Sequence, residues 1–302
     1  MSTWKAEIKL KSRLVTPLFG DTLFGHIVWG IARHMGEEAV THFLDEFEAT
    51  PFVVSSAFPH DFLPKPLLIQ ELPENIPYQD IKNLKKIRYI PASLVLKGEP
   101  ITYEKILEGN KQNNIEFNEF YRMHNTCNRL EGGTVEGTGL YEIEETWYCS
   151  SQSYPLFDFY IVSQISESEI KKYLTWAFEA GYGADASTGA GNIELATLKQ
   201  VSFPEIGSRA MALGPFCVLK DSHTRLDLLA DVFVRRGKLG VEFSQYMNPF
   251  KKPIVFYTEG STFNWDSNRP CYIGALLKNI HRDPRIVQQA AAPLVYINEG
   301  RI

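Results

Sequence analysis

The sequence predicts an α+β fold of tandem ferredoxin-like (RRM-like) domains, with a long insertion in the first. Three observations carry that reading. Residues 1–203 present strand and helix patterns in the order β-α-β, interruption, β-α-loop-β, which is the ferredoxin-like order. The interruption, at about 59–138, holds prolines at 59, 64, 66, 73, 77, 91 and 100, which break regular structure. The length of 302 residues suits two domains, and Ser202–Gly207, with Pro204, is the expected boundary between 1–205 and a smaller domain at 206–302.

Taken in order, Trp4–Val15 places apolar residues at 4, 6, 8 and 10, the period of a half-buried strand. Pro17 and Gly20 end it. Asp21 or Thr22 is then the expected N-cap of a helix in which Leu23, Phe24, Ile27, Val28 and Ile31 recur at helical spacing, closed by Gly36. Pro51–Phe58 is β-rich, and only a few strands or short helices are expected in the insertion. Leu140–Tyr148 and Leu156–Gln164 return to strand character, and the aromatic set Tyr154–Tyr160 reads as core. Ser166 opens S-E-S-E, a capping box for a helix through Ala180, and Ile193–Phe203 is the last strand of the unit. Beyond the boundary, strands are expected at Met211–Leu219, Leu239–Phe243, Ile254–Thr258, Thr262–Trp265 and Leu294–Ile297, with a helix at Asp283–Ala291.

Composition narrows the function. Hydrophobic content of 44% supports a packed core and excludes a disordered chain. The net charge of −5 argues against a generally basic nucleic-acid coat but permits a local basic groove. Cys127, Cys149, Cys217 and Cys271 form no C-x-x-C pair, so neither a zinc site nor a disulfide framework is expected. Reduced thiols, three lysines among Met1–Lys11 and short apolar runs point to a cytoplasmic protein that makes no membrane contact. No nucleotide fingerprint, hydrolase triad or metal cluster stands out, so no cofactor or metal is expected.

The most informative segment is G-Y-G-A-D-A-S-T-G-A-G. Gly181, Gly183, Gly189 and Gly191 fall within eleven positions between a helix and a strand. Such a loop turns sharply and can bring N–H groups to an anion, and Ser187 and Thr188 add hydroxyl donors. One glycine would suffice for a helix C-cap. The loop is not a Walker A sequence, since no G-K-[ST] follows, nor a Rossmann fingerprint, since it follows a helix.

Other candidates are less specific. His124, Asn125, Asn128 and Arg129 cluster before a glycine-rich turn and could read unpaired bases, or be solvated turn residues. Thr22 and His26 lie where a strand passes into a helix, a place that favours phosphate, although a packed histidine is the simpler reading of His26. Lys82, Lys85, Lys86 and Arg88, beside Tyr89 as a stacking ring, form one basic run, and Arg235, Arg236 and Lys238 a second. Either could contact RNA or be a solvated face.

G-D-T-L-F-G-H at 20–26, H-N-T-C-N-R-L at 124–130, the glycine loop at 181–191, R-R-G-K-L-G at 235–240 and E-G-S-T-F at 259–263 occur in that order. Together they resemble the RAMP superfamily of CRISPR proteins, and more narrowly the crRNA 5′-handle-binding subunits of type III-A effector complexes. The resemblance spans nearly the whole chain. It implies paired ferredoxin-like domains and no catalytic centre. It also implies a subunit that holds the repeat-derived 5′ tag of the crRNA, docks the large polymerase–nuclease subunit and backbone RAMP subunits, and meets target RNA only indirectly, in antiviral defence. Family loops often carry Lys or Arg, whereas this one has Asp185, so contact through N–H groups and the Ser187 and Thr188 hydroxyls is expected.

Two other readings compete. A metal-independent endoribonuclease of the same superfamily, processing CRISPR transcripts, would need a general base, for which His26 and His34 are placed. A protein-interaction scaffold that never touches RNA would suit the acidic balance.

Overall fold

A computed structural model of the chain describes residues 1–69, 76–111, 115–128, 130–135, 137, 139–150, 153–218, 227–240, 243, 248–265 and 269–299. The first part contains β1 (Ser2–Leu10), α1 (Gly20–Met35), α2 (Glu37–Asp45), β2 (Phe52–Val54), β3 (Phe58–Pro59) and β4 (Phe62–Pro64). There follow α3 (Tyr78–Lys86), β5 (Tyr89–Pro91), α4 (Ala92–Leu96), β6 (Pro100–Ile101), α5 (Tyr103–Asn110) and β7 (Ile115–Asn125). Then come β8 (Cys127–Asn128), β9 (Gly133–Thr134), β10 (Leu140–Ser150), β11 (Leu156–Ser163), α6 (Glu167–Glu179) and β12 (Ile193–Val201). The last part contains β13 (Arg209–Ala212), β14 (Leu228–Leu229), β15 (Val232–Arg235), β16 (Ile254–Tyr257), β17 (Thr262–Asn264), β18 (Tyr272–Leu277) and β19 (Gln288–Glu299).

The first sheet runs β12-β1-β11-β2, with β3 also on β11, and its pairs are antiparallel. The alternation read in β1 is present: Trp4, Ala6, Ile8 and Leu10 are buried and join a core with Leu23, Phe24, Ile27 and Ile31 of α1 and Ile170, Leu174 and Ala177 of α6. Gly36 caps α1, its N–H reaching the Ala32 carbonyl. Ser166 caps α6: its Oγ accepts from the Glu169 N–H and donates to Glu169 Oε2 at 2.8 Å. The other face of the first sheet offers Tyr160 to a second core, made with Leu63, Ile90 and Val95 and with Met211, Val295 and Ile297 of the second sheet.

That second sheet runs β14-β17-β13-β19-β18, and β6 pairs in parallel with β19. The expected strands at 254–258, 262–265 and 294–297 are present in β16, β17 and β19, whereas the one at 211–219 overlaps β13 only at Met211 and Ala212. Two expectations are corrected. Residues 283–291 are not a helix: they form turns and then enter β19, a strand buried along nearly its whole length. Leu239 and Gly240 lie outside any strand, and 241–242 lie outside the described residues.

The N-cap expectation is also corrected. Helix α1 begins at Gly20, its cap position is Phe19, and no side chain caps it. Asp21 lies in the first turn and is spoken for elsewhere. Of the aromatic set at 154–160, Phe157, Phe159 and Tyr160 are buried whereas Tyr154 is exposed. The four cysteines are free thiols. Among the described residues, no helix is long and apolar enough to cross a membrane.

Candidate nucleic-acid interface

The glycine loop is fastened to its neighbours through its own N–H groups. Gly181, Gly183, Gly189 and Gly191 all have positive φ, between 63° and 87°. Gly181 N–H donates to Phe178 O, Gly183 N–H to His26 Nε2 at 3.0 Å, Gly189 N–H to Ala186 O and Gly191 N–H to Arg13 O. Ala184 N–H donates to Thr16 Oγ1 and Asn192 N–H to Ser12 Oγ. The glycine N–H groups therefore do not form an anion nest, which corrects that part of the expectation. Gly191 is demanded by close approach, since a Cβ there would lie 1.9 Å from the Tyr182 carbonyl oxygen. What the loop offers outward is its tip: Ser187, Thr188 and Gly189 are exposed.

His26 is the packed histidine that the simpler reading expected. Its ring lies 4.7 Å from that of Tyr182, and burial, aided by the Arg33 charge, lowers its pKa to about 4. With Nε2 accepting a hydrogen bond, the ring is neutral and carries its proton on Nδ1. His34 stacks on Trp176 at 4.6 Å and pairs with Glu179.

Asp21 explains the second basic run. Its carboxylate is almost wholly buried and meets Arg235 NH1 at 2.6 Å and Gln288 Nε2 at 2.7 Å. Arg235 NH1 also reaches Thr22 Oγ1 at 3.2 Å, and the guanidinium lies over Phe19 at 4.4 Å and Phe233 at 5.4 Å. Arg235 and Thr22 are thus joined in an internal clamp. Nearby, Lys251 donates to Val287 O and Gln288 Oε1, and burial lowers its pKa to about 8. Arg236 and Lys238 are exposed, with Arg236 over Phe250 at 5.1 Å.

Strands β7 and β10 form a separate two-stranded antiparallel ribbon, paired from Ile115–Ser150 at its base to Asn125–Leu140 at its far end. Phe120, Tyr121, Met123, Leu140 and Tyr141 are exposed along it, and His124 stacks on Tyr141 at 5.5 Å. Asn125 donates to Thr134 Oγ1, while Asn128 donates to Glu131 and accepts from the Leu130 N–H, so both amides staple the turn. Arg129 lies outside the described residues. Lys85 and Lys86 are exposed at the end of α3, and Arg88 lies over Phe117 at the ribbon base, 5.6 Å away. Tyr89 is turned against Phe58, and burial raises its hydroxyl pKa; it is no free stacking platform.

One residue absent from the sequence reading joins loop and ribbon. Arg13 Nε meets the buried Glu145 carboxylate of β10 at 2.8 Å, and its NH2 reaches Thr188 Oγ1 at 3.4 Å. Arg122 of β7 meets the same Glu145 oxygen at 3.0 Å with its side chain half exposed. Leu14 bridges Thr146 by backbone hydrogen bonds in both directions. Arg13 thus ties the loop tip, through Glu145, to the face of the ribbon that carries Phe120 and Arg122. A lone arginine in an irregular segment carries no motif, so only the fold could single it out.

No protein-family model matches the chain, and no curated protein matches it in sequence. Solved structures do. A chain of the Csm1–Csm4 cassette bound to AMPPNP aligns with a TM-score of 0.61 at 18% identity, covering 100% of both chains. The cassette bound to cA4 gives 0.61 at 17%, covering 99% of this chain and 100% of the other. The Csm3–Csm4 subcomplex of the type III-A CRISPR-Cas interference complex gives 0.59 at 16%, again with 99% and 100% covered. The chain thus shares its overall α+β fold with a chain of these structures. The component common to both descriptions is Csm4.

Proposed function

We propose that this chain is an RNA-binding subunit of a type III CRISPR effector complex, holding the repeat-derived 5′ tag of the crRNA. In that role it docks a large polymerase–nuclease subunit and backbone RAMP subunits in the cytoplasm and performs no chemistry of its own. The observation that carries the proposal is likeness over the whole chain to structures whose shared component is Csm4. In the same reading, residues 1–205 are a ferredoxin-like domain interrupted at about 59–138, and 206–302 are a smaller RAMP-like domain. The fourth-first-third-second arrangement of β12, β1, β11 and β2 supports the first of these.

The surface suits such a ligand. The loop tip gives hydroxyls, Arg122 a half-exposed guanidinium, and the ribbon a row of aromatic rings, a combination fitted to phosphates and unstacked bases. The nuclease reading finds less support, because both histidines placed for it are engaged, His26 with Gly183 and His34 with Glu179.

Affinity capture of the tagged chain from its native host, with bound RNA sequenced and partners identified by mass, tests the proposal. RNAs sharing one repeat-derived 5′ end, together with RAMP subunits, are expected. Partners without RNA would leave a scaffold, and cleaved repeat fragments without partners would leave a nuclease.

A further inference from the structure

We propose that Glu7, His60 and Asp158 bind a divalent metal ion of the zinc type, on the face of the first sheet that turns away from α1 and α6. Glu7 and Asp158 are direct cross-strand partners on β1 and β11. Like charges so placed repel unless a cation lies between them. His60, in the turn between β3 and β4, brings Nδ1 to 3.1 Å from Glu7 Oε2 and 3.0 Å from Asp158 Oδ1. One ligand atom from each residue lies within 4.8 Å of the others, a separation that ligands sharing an ion at about 2.0–2.2 Å can close with small side-chain movements.

The surroundings favour an ion. The other ring nitrogen of His60, Nε2, lies 3.3 Å from Asp61 Oδ2, the carboxylate–histidine relation that orients metal-binding imidazoles. It would leave the Nδ1 lone pair facing Glu7 and Asp158. Asp158 Oδ2 is occupied by Lys5 Nζ at 2.8 Å and the Asp61 N–H at 2.7 Å, which leaves Oδ1 for coordination. The Lys5 ammonium is shared by two carboxylates, Asp61 and Asp158, while Glu7 faces His60, and Lys199 acts on Asp61 from further away. A dication fits that excess of negative charge. The Asp158 side chain is wholly buried, whereas that of His60 is 36% exposed, so an ion can enter from solvent and keep a water ligand. Mixed nitrogen and oxygen donors suit zinc better than magnesium. A bound ion would tie β1 and β11 to the β3–β4 turn, and so brace the first sheet where the chain leaves it.

The test uses the full chain stripped by chelator and titrated with ZnCl2, MnCl2 or MgCl2, followed by calorimetry and by thermal unfolding. One zinc per chain with a raised Tm is expected. His60→Ala and Glu7→Gln should abolish the shift, and Asp61→Asn should weaken binding about tenfold through the lost ring orientation. Both His60 and Glu7 are partly exposed, so these variants keep the fold where Asp158→Asn would endanger it. The visible spectrum of a Co2+ form should change in Asp61→Asn and vanish in His60→Ala. Absence of stoichiometric zinc binding, zinc binding unchanged in both His60→Ala and Glu7→Gln, or a preference for magnesium would each overturn the assignment.

Discussion

His26 Nε2 accepts a hydrogen bond from the Gly183 N–H at 3.0 Å, across 157 residues of sequence. This bond fastens the glycine loop to α1, which packs on the first sheet. Replacing His26 with Ala leaves a part-buried donor unpaired, a loss of about 1–3 kcal/mol. Urea unfolding should register that loss, and RNA affinity should fall with it as the loop loosens. Unchanged stability would mean that the bond does not anchor the loop.

The same histidine sets a pH dependence. Its folded pKa of about 4 lies below the ordinary value of 6.5, so the unfolded chain binds the extra proton first. Stability held by neutral His26 is complete above about pH 6.5 and declines as pH falls toward 4. Unfolding curves at pH 7 and pH 5 should separate more for the native chain than for His26→Asn; equal separation would remove His26 as the cause.

Two glycines of the loop should respond differently. A Cβ at Gly191 would strike the Tyr182 carbonyl, so Gly191→Ala should cost about 3 kcal/mol or more. Gly189 has open space around it and a φ of 87°, so Gly189→Ala should cost about 1–2 kcal/mol from backbone strain alone. Thermal unfolding ranks the two. Gly189, being at the exposed tip, is the better probe of RNA loading.

The clamp between Arg235 and Asp21 is internal, so Arg235→Ala should act on folding before it acts on RNA. Leaving the buried Asp21 carboxylate without this partner should cost about 3–5 kcal/mol. Lys at 235 should restore little, because an ammonium lacks the planar face that lies over Phe19 and Phe233. A variant with native stability and weakened RNA binding would contradict the clamp.

Arg122 is the cleaner electrostatic probe. Its partner Glu145 keeps Arg13, so Arg122→Ala should fold normally. If Arg122 meets one phosphate, the slope of log affinity against log salt should fall by about 0.7. An unchanged slope would exclude a phosphate contact at Arg122.

Much of the first sheet was legible because its elements are amphipathic: the alternation of Trp4, Ala6, Ile8 and Leu10 and the capping box at Ser166 are local signals. The last strand was legible only in part: Leu294–Ile297 reads as strand, but its start does not. Residues 288–293 read Q-Q-A-A-A-P, in which three alanines favour helix and no polar alternation marks a strand. Burial on both faces removes that alternation, and pairing with β13 and β18 overrides the propensity. At the candidate interface, no local signal marks the internal clamp of Arg235, whose partner Asp21 is 214 residues away. Arg13 goes unmarked for a like reason: what gives that residue its place is Glu145, 132 residues on.

Strand β19 has a bearing on how the chain is made. Its Gln289 side chain pairs with both the N–H and the C=O of Val54 on the edge strand β2, and its Asn298 and Glu299 pair with Pro100 and Ile101. Those early segments leave the ribosome long before β19 does. Until it arrives, β2 keeps open backbone groups and the core around Ile101 lacks Val295 and Ile297. Folding of the nascent chain should therefore wait for its final strand, exposing a sticky edge for the duration of synthesis, and loss of β19 should yield a product prone to aggregation and degradation.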